Sequence, residues 1–282
     1  MTFDTAGYKE KEFGFQLVKM EDVFSFAPTK SKNPFISHRI NFFTVLILTE
    51  GEMVHEVDFV KCKMTKGDCL FITKGQIHKF DESSQYKGYG IIFTEEFMLH
   101  HMSPSAYSKI NFLYSHNLSI SRFKDFDGRD IIINALKYEL SIDHGSIKSD
   151  IAASFLTVLL LKVQLNTKNT SGFDEDDYSR FLQFQELVES KYMFTRATKA
   201  YANLSGISYK QLNTICMKYA QKTAKDYISH YIVLEAKRQL ATTNHQVKQI
   251  AYDCGFKEAT NFVKFFKKVA GTTPLEFRNT RI

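Results

Sequence analysis

The chain has no tryptophan and only four cysteines, at positions 62, 69, 216 and 254, with no C-x-x-C pair among them. Thiols so scattered form no disulfide framework, and Cys216 stands on an apolar helical face where a free thiol behaves as a small hydrophobe. No basic stretch followed by an apolar run opens the sequence, so no signal peptide is expected. The most apolar run, Ile151 to Leu165, spans fifteen residues and includes Ser154, Thr157 and Lys162. That is too short and too polar to cross a bilayer. A cytoplasmic protein with no membrane partner is the expectation. A length of 282 residues suits about two domains.

Acidic residues are scarce in one part of the chain. From Ser179 onward there are 17 Lys and Arg against 7 Asp and Glu, a net of +10, whereas residues 1–178 carry a net of −4. A basic half beside an acidic half points to a polyanion partner for the basic half alone.

Within the basic half, Val247 to Arg278 reads as helix, tight turn, helix, stop. Phe262, Phe265, Phe266 and Val269 recur at i, i+3, i+4 and i+7, one face of a helix. Thr260, Lys264 and Lys267 fall opposite. Gly255 suits a turn residue with positive φ, and Gly271 and Pro274 stop the helix. Fifty residues earlier Leu212, Ile215, Cys216 and Tyr219 repeat the apolar spacing. Lys210, Thr214 and Met217 take the exposed places. Ala202, Gly206 and Ile207 precede Ala251, Gly255 and Phe256 by forty-nine, so the second turn is one residue longer. Such a repeat predicts two helix-turn-helix units, at 196–219 and 247–269. Between them Tyr227 to Ala241 lacks Gly and Pro and predicts a long joining helix that fixes the spacing of the two units.

The segment from about Ser179 to Arg278 resembles the DNA-binding domain of the AraC/XylS family of transcription regulators. The resemblance is carried by Leu234-Glu-Ala-Lys-Arg-Gln-Leu240, Ile250-Ala-Tyr-Asp-Cys-Gly-Phe256, Asn261-Phe262, Phe265-Phe-Lys-Lys268 and Gly271-Thr-Thr-Pro-Leu-Glu-Phe-Arg278. It implies base reading by Lys210, Asn213 and Thr214 on the first recognition helix, and by Ala259, Thr260, Val263 and Lys264 on the second. Lysine suits guanine and asparagine suits adenine in the major groove. Lys218, Lys222, Lys267, Lys268 and Arg278 are expected at phosphates, which position the protein without reading sequence. With Ala259 and Thr214 at reading positions, direct readout is expected to be modest and shape readout larger.

Upstream, short β-rich runs alternate with Gly and Asp turns: Phe42 to Leu48 ended by Thr49-Glu50-Gly51, then Met53 to Val60, Cys69 to Thr73 and Tyr89 to Phe93. This spacing argues an antiparallel sandwich or barrel. Residues 1–35 read as irregular chain or short strands. Gly67 to His78 resembles the second sequence motif of the cupin barrels that serve many such regulators as sensors, with Thr73 where the motif has proline. The first motif is incomplete: Gly51 precedes His55, but the His-x-His pair and its glutamate are missing. No metal or cofactor is therefore expected. His38, His55 and His78 are candidate walls of a ligand pocket at the barrel mouth.

After Thr94 the sequence reads as helical, with amphipathic helices at 131–140 and 149–165. By resemblance the second pairs two chains into a homodimer; the alternative is packing of both helices against the barrel. Asn166 to Asp177 is polar, then acidic, and reads as a linker. The expected fold is α+β. It comprises a cupin-like antiparallel β-barrel with dimerisation helices over 1–165, a linker over 166–178, and an all-α double helix-turn-helix domain over 179–282. The expected function is sequence-specific transcription regulation on double-stranded DNA. A small-molecule effector and RNA polymerase are further partners. Two rival readings are a metal-dependent cupin enzyme fused to a DNA-binding domain and a ligand-independent adaptor.

Overall fold

A computed structural model describes residues 14–25, 33–81, 86–110, 121–123, 128–168 and 174–280. These divide into two compact units, one ending at 168 and the other beginning at 174. Parts of the irregular entry expected over 1–35, and residues 169–173 of the expected linker, lie outside the described residues.

The first unit is built on one long strand. In chain order it contains β1 (Phe15–Lys19), α1 (Met20–Ser25), β2 (His38–Arg39), β3 (Phe43–Val57), β4 (Val60–Thr65), β5 (Cys69–Ile72), β6 (Ile77–Phe80) and β7 (Tyr86–Phe93). Then come α2 (Glu95–His101), α3 (Pro104–Lys109), β8 (Ser121–Phe123), α4 (Arg129–Ser141) and α5 (Lys148–Lys168). The first half of β3 pairs with β7 and β5, and its second half with β4 and β6, all antiparallel.

Thr49-Glu50-Gly51 does not end the strand as expected. The pairing of β3 with β7 shifts register between Leu48 and Glu50, and Gly51 sits at φ +79°. This bulge changes the phase of the alternation. Leu46 and Leu48 point into the core before it, and Met53 and Val57 after it, an odd number of residues further on. Without the extra residue the second half would turn its apolar set outward. The hairpin turn falls instead at Asp58-Phe59, both in the left-handed region (φ +46° and +70°). The Asp58 carboxylate holds it by accepting from the Gln76 side chain (2.9 Å) and the Ile77 N–H (3.1 Å).

The strand path runs β1-β7-β3-β5-β8, with β2, β6 and β4 joined to the far end of β3. Among the described residues the expected barrel is two sheets sharing β3, and β1 and β8, at the ends of the path, do not pair with each other. α5 is longer than expected, and its Ala152, Ala153, Leu156, Leu159, Leu160 and Val163 are buried within its own unit.

The second unit is all helix: α6 (Glu175–Lys191), α7 (Thr198–Leu204), α8 (Tyr209–Ala220), α9 (Ala224–Thr242), α10 (Val247–Asp253), α11 (Ala259–Ala270) and α12 (Pro274–Asn279). The acidic run read as linker is the first turn of α6, where carboxylates complement the positive end of the helix dipole. Pro274 does more than stop α11. It opens α12 behind a capping box, in which the Thr273 hydroxyl accepts from the Glu276 N–H and the Glu276 carboxylate accepts from the Thr273 N–H.

The two turns are built alike. Gly206 N–H donates to Asn203 O and Ile207 N–H to Ala202 O; Gly255 N–H donates to Tyr252 O and Phe256 N–H to Ala251 O. Gly206 and Gly255 have φ of +64° and +76°. Their surroundings differ. A Cβ on Gly206 would meet nothing within 4 Å, whereas on Gly255 it would stand 2.0 Å from the Met193 carbonyl oxygen. Gly206→Ala should therefore cost about 1 kcal/mol through φ alone. Gly255→Ala should cost about 3 kcal/mol, since the chain after α6 must also move. Denaturant midpoints of the two variants, at unchanged slope, measure this ordering.

Candidate nucleic-acid interface

In the first unit of the repeat, α8 buries Leu212, Ile215 and Cys216 and exposes Tyr209, Lys210, Gln211, Thr214, Met217 and Lys218. In the second, α11 buries Phe262 and Phe266 and exposes Thr260, Asn261, Lys264, Lys267 and Lys268. Aromatic packing pins α11: the Phe256 ring lies 5.4 Å from Phe262 and 5.2 Å from Phe265, and Phe266 lies 5.8 Å from Phe262 and 6.2 Å from Phe277. The Arg196 guanidinium covers Phe256 at 3.9 Å. Burial pushes the Cys216 and Cys254 thiols up to about 12, so both act as packing groups. Each unit thus shows a polar, cationic helix face held rigid from behind.

Not every expected contact residue lies on that face in the same way. Lys210, Thr214, Thr260 and Lys264 are exposed; Asn213, Ala259, Val263 and Lys222 are half-buried. Asn213 has a structural task, because its side-chain oxygen accepts from the Ala224 N–H at 2.9 Å and joins α8 to the start of α9. The repeat explains why. Fifty residues on, Val263 replaces Asn213 and Pro274 replaces Ala224. Proline has no N–H to satisfy, so no acceptor is needed. A bidentate pair between Asn213 and adenine would leave the Ala224 N–H unpaired. Arg278, expected at a phosphate, instead donates to Leu240 O (3.2 Å) and His245 O (2.7 Å), closing the end of α9. Lys218 forms an ion pair with Asp177 at 3.1 Å. The Asp177 partner was hidden in sequence, because the residues around it read as linker.

The three candidate histidines of the first unit do come together. Antiparallel pairing sets His38 opposite His78, and His78 opposite Val57 two residues beyond His55. His55 Nε2 and His78 Nδ1 share a hydrogen bond at 3.0 Å, and His38 Nδ1 donates to Ile36 O at 3.0 Å. All three are buried, and among the described residues His55 Nδ1 has no hydrogen-bond partner. Among the described residues no group of three His, Cys, Asp or Glu is arranged to hold a metal ion. An open cleft of about 280 Å³ lies elsewhere, lined by Phe35, Val54, Glu56, Lys61, Lys79, Phe80 and Asp81. The nearly buried Glu56 carboxylate in it faces Lys79 at 3.8 Å.

Residues 201–280 match the family described as Helix-turn-helix domain. The chain is similar to two transcription activators over nearly its whole length. It is 20% identical over 260 residues to the HTH-type transcriptional activator RhaS of Escherichia fergusonii, covering 90% of this chain and 91% of that one. It is 21% identical over 252 residues to the HTH-type transcriptional activator RhaR of Mannheimia succiniciproducens, covering 87% and 88%. Among solved structures, ToxT from Vibrio cholerae aligns over 94% of this chain and 97% of its own, with 15% identity and a TM-score of 0.47. A basic unit with two similar helix-turn-helix motifs defines a DNA-binding transcription regulator. The resemblance to the AraC/XylS family of these regulators is supported by the helix-turn-helix match and by both activators. No helix among the described residues is long and apolar enough to cross a membrane.

Two outcomes follow from this geometry. Asn213→Val, which copies the second unit into the first, should destabilise the protein by about 1–2 kcal/mol by orphaning the Ala224 N–H. Adding Ala224→Pro should restore part of that loss, as chemical unfolding of the single and double variants will register. The histidines give a pH dependence. Burial lowers all three, His38 adds to it for His55, His38 and His55 add to it for His78, and His55 is pushed down to about 3. Their neutral forms are favoured on folding. Stability is therefore full above the unfolded value near 6.5 and is lost as pH falls below it toward the folded values. His55 alone should cost the first unit about 2 kcal/mol at pH 5 relative to pH 7. Hydrogen exchange of the β3 amides at the two values measures it.

Proposed function

We propose that α8 and α11 read two half-sites about one turn of duplex apart, roughly 34 Å, on one face of the DNA. Lys210 and Thr214 read the first; Thr260 and Lys264 read the second, with Ala259 and Val263 offering apolar contacts to thymine methyls. Lys222, Lys267 and Lys268 hold phosphates. Asn213 and Arg278 support the readers from behind. The observation that carries this reading is that two helices fifty residues apart, with matching apolar faces turned inward and the same left-handed C-terminal caps at Gln221 and Gly271, expose different polar faces. Matched scaffolds with unlike faces suit two unlike half-sites.

The first unit is the regulatory half. It responds to a small molecule, with the cleft around Glu56 and the interior at His38, His55 and His78 as the two places that offer polar groups. The chain acts as a homodimer through α5. The face of α5 left outside the core bears Ile151, Phe155, Val158 and Leu165, of which Val158 and Leu165 are exposed. A regulator of this kind works in the cytoplasm, engages RNA polymerase, and turns over no substrate.

Selection of bound fragments from a random duplex pool gives the operator. On it, Lys264→Ala should cost about 1–3 kcal/mol and relax one base position, while Lys268→Ala should weaken all sequences alike and lower the salt slope by about 1. Binding titrations of both variants on operator and random duplex make the comparison. Equal loss on the two duplexes from both substitutions would refute the division between reading and holding.

A further inference from the structure

Three helices of the DNA-binding unit begin with an N-cap side chain and a carboxylate three residues on. The N-cap side chains of Asp174, Thr223 and Thr273 accept from the backbone N–H three residues on, at Asp177, Asp226 and Glu276. Each of those three positions carries a carboxylate. In α9, Asp226 turns back and accepts from the Thr223 hydroxyl at 2.7 Å. In α12, Glu276 turns back on the Thr273 N–H at 2.8 Å and the Thr272 hydroxyl at 2.9 Å. In α6, Asp177 reaches across to the Lys218 ammonium on the last turn of α8, and this contact holds the Lys218 proton more tightly than usual. Tyr219 reinforces it. Its hydroxyl donates to Asp174 O (2.8 Å) and accepts from the Asp174 N–H (3.3 Å), and its ring lies 5.2 Å from Tyr178 and 5.7 Å from Phe181. The repeat supplies an internal reference. Lys268 holds the place of Lys218 in α11 and is exposed, with no hydrogen bond or ion pair among the described residues.

We propose that the Asp177–Lys218 pair is a latch, in which the carboxylate competes with a DNA phosphate for the Lys218 ammonium. DNA affinity through the first reader then depends on how the first turn of α6 is held. The proposal rests on the reading that α8 faces DNA. Both partners are about one-third exposed (34% and 33%), so the pair is screened and can exchange for another anion. The second reader has no such brake. An event that shifts the start of α6 therefore acts on one half-site and leaves the other unchanged.

The test uses full-length protein with Asp177→Asn, Lys218→Ala, the double variant, and Asp176→Asn. Asp176 is an exposed neighbouring carboxylate with no partner among the described residues, so its change controls for charge alone. Affinity is measured on selected and random duplex over a range of salt. Asp177→Asn should tighten binding to both by about three- to tenfold and steepen the salt slope by about 0.9, as one more counterion is released. Lys218→Ala should change little in the unaltered chain and cancel the gain in the double variant. An unchanged affinity and slope for Asp177→Asn, or an equal gain from Asp176→Asn, would overturn the latch while leaving the DNA reading intact. Failure of the unaltered chain to bind any duplex at low salt would overturn that reading, and the latch with it.

Discussion

The DNA-binding unit depends on the burial of α9. Tyr227, Ile228, Tyr231, Ile232, Val233, Ala236 and Leu240 all lie in the core, so the helix is surrounded rather than laid on a surface. Its charged residues are enclosed too. Glu235 and Arg238, one turn apart, form a buried ion pair, and Arg238 is the largest fully buried side chain. Such a pair tolerates no loss of one partner, because the remaining charge would stand uncompensated in a low-dielectric interior. α8 packs on one part of this helix and α10, α11 and α12 on others. Both α8 and α11 are thereby referred to one rigid axis, the condition that the proposed reading of two half-sites requires.

Within that frame the repeat is exact in purpose and unequal in detail. The first unit satisfies the Ala224 N–H with Asn213; the second removes the donor with Pro274 and places Val263 opposite. The first leaves open space around Gly206; the second presses Gly255 against the backbone at Met193. Each difference reflects what the neighbouring chain requires. The second unit touches the segment after α6, and the first receives the start of α6 itself.

The first unit shows the same economy around β3. One bulge after Leu48 lets a single strand serve two sets of partners while keeping its apolar residues inward on both sides of the break. The same alternation carries His55 inward with Met53 and Val57, next to His78 and His38. The histidines meet because of strand register, not because of any ligand-like spacing along the chain.

Much of this was legible in the sequence, for a physical reason. Apolar residues at helical spacing, glycines at positive φ and a basic half are local signals, and their recurrence fifty residues apart marked the two readers, the turns, the joining helix and the DNA-binding function. Of the expected apolar pins, Leu212, Ile215, Cys216, Phe262 and Phe266 are buried, and Tyr219, Phe265 and Val269 are half-buried. Tertiary structure alone decided where side-chain groups find partners across the fold. Asn213 meets the Ala224 N–H, Arg278 meets the carbonyls at the end of α9, Asp177 meets Lys218, and β3 runs past Gly51 rather than stopping there. A polar residue on a helix face is available to DNA only when no other part of the chain has claimed its hydrogen-bonding groups. Spacing along a sequence carries no information about that claim.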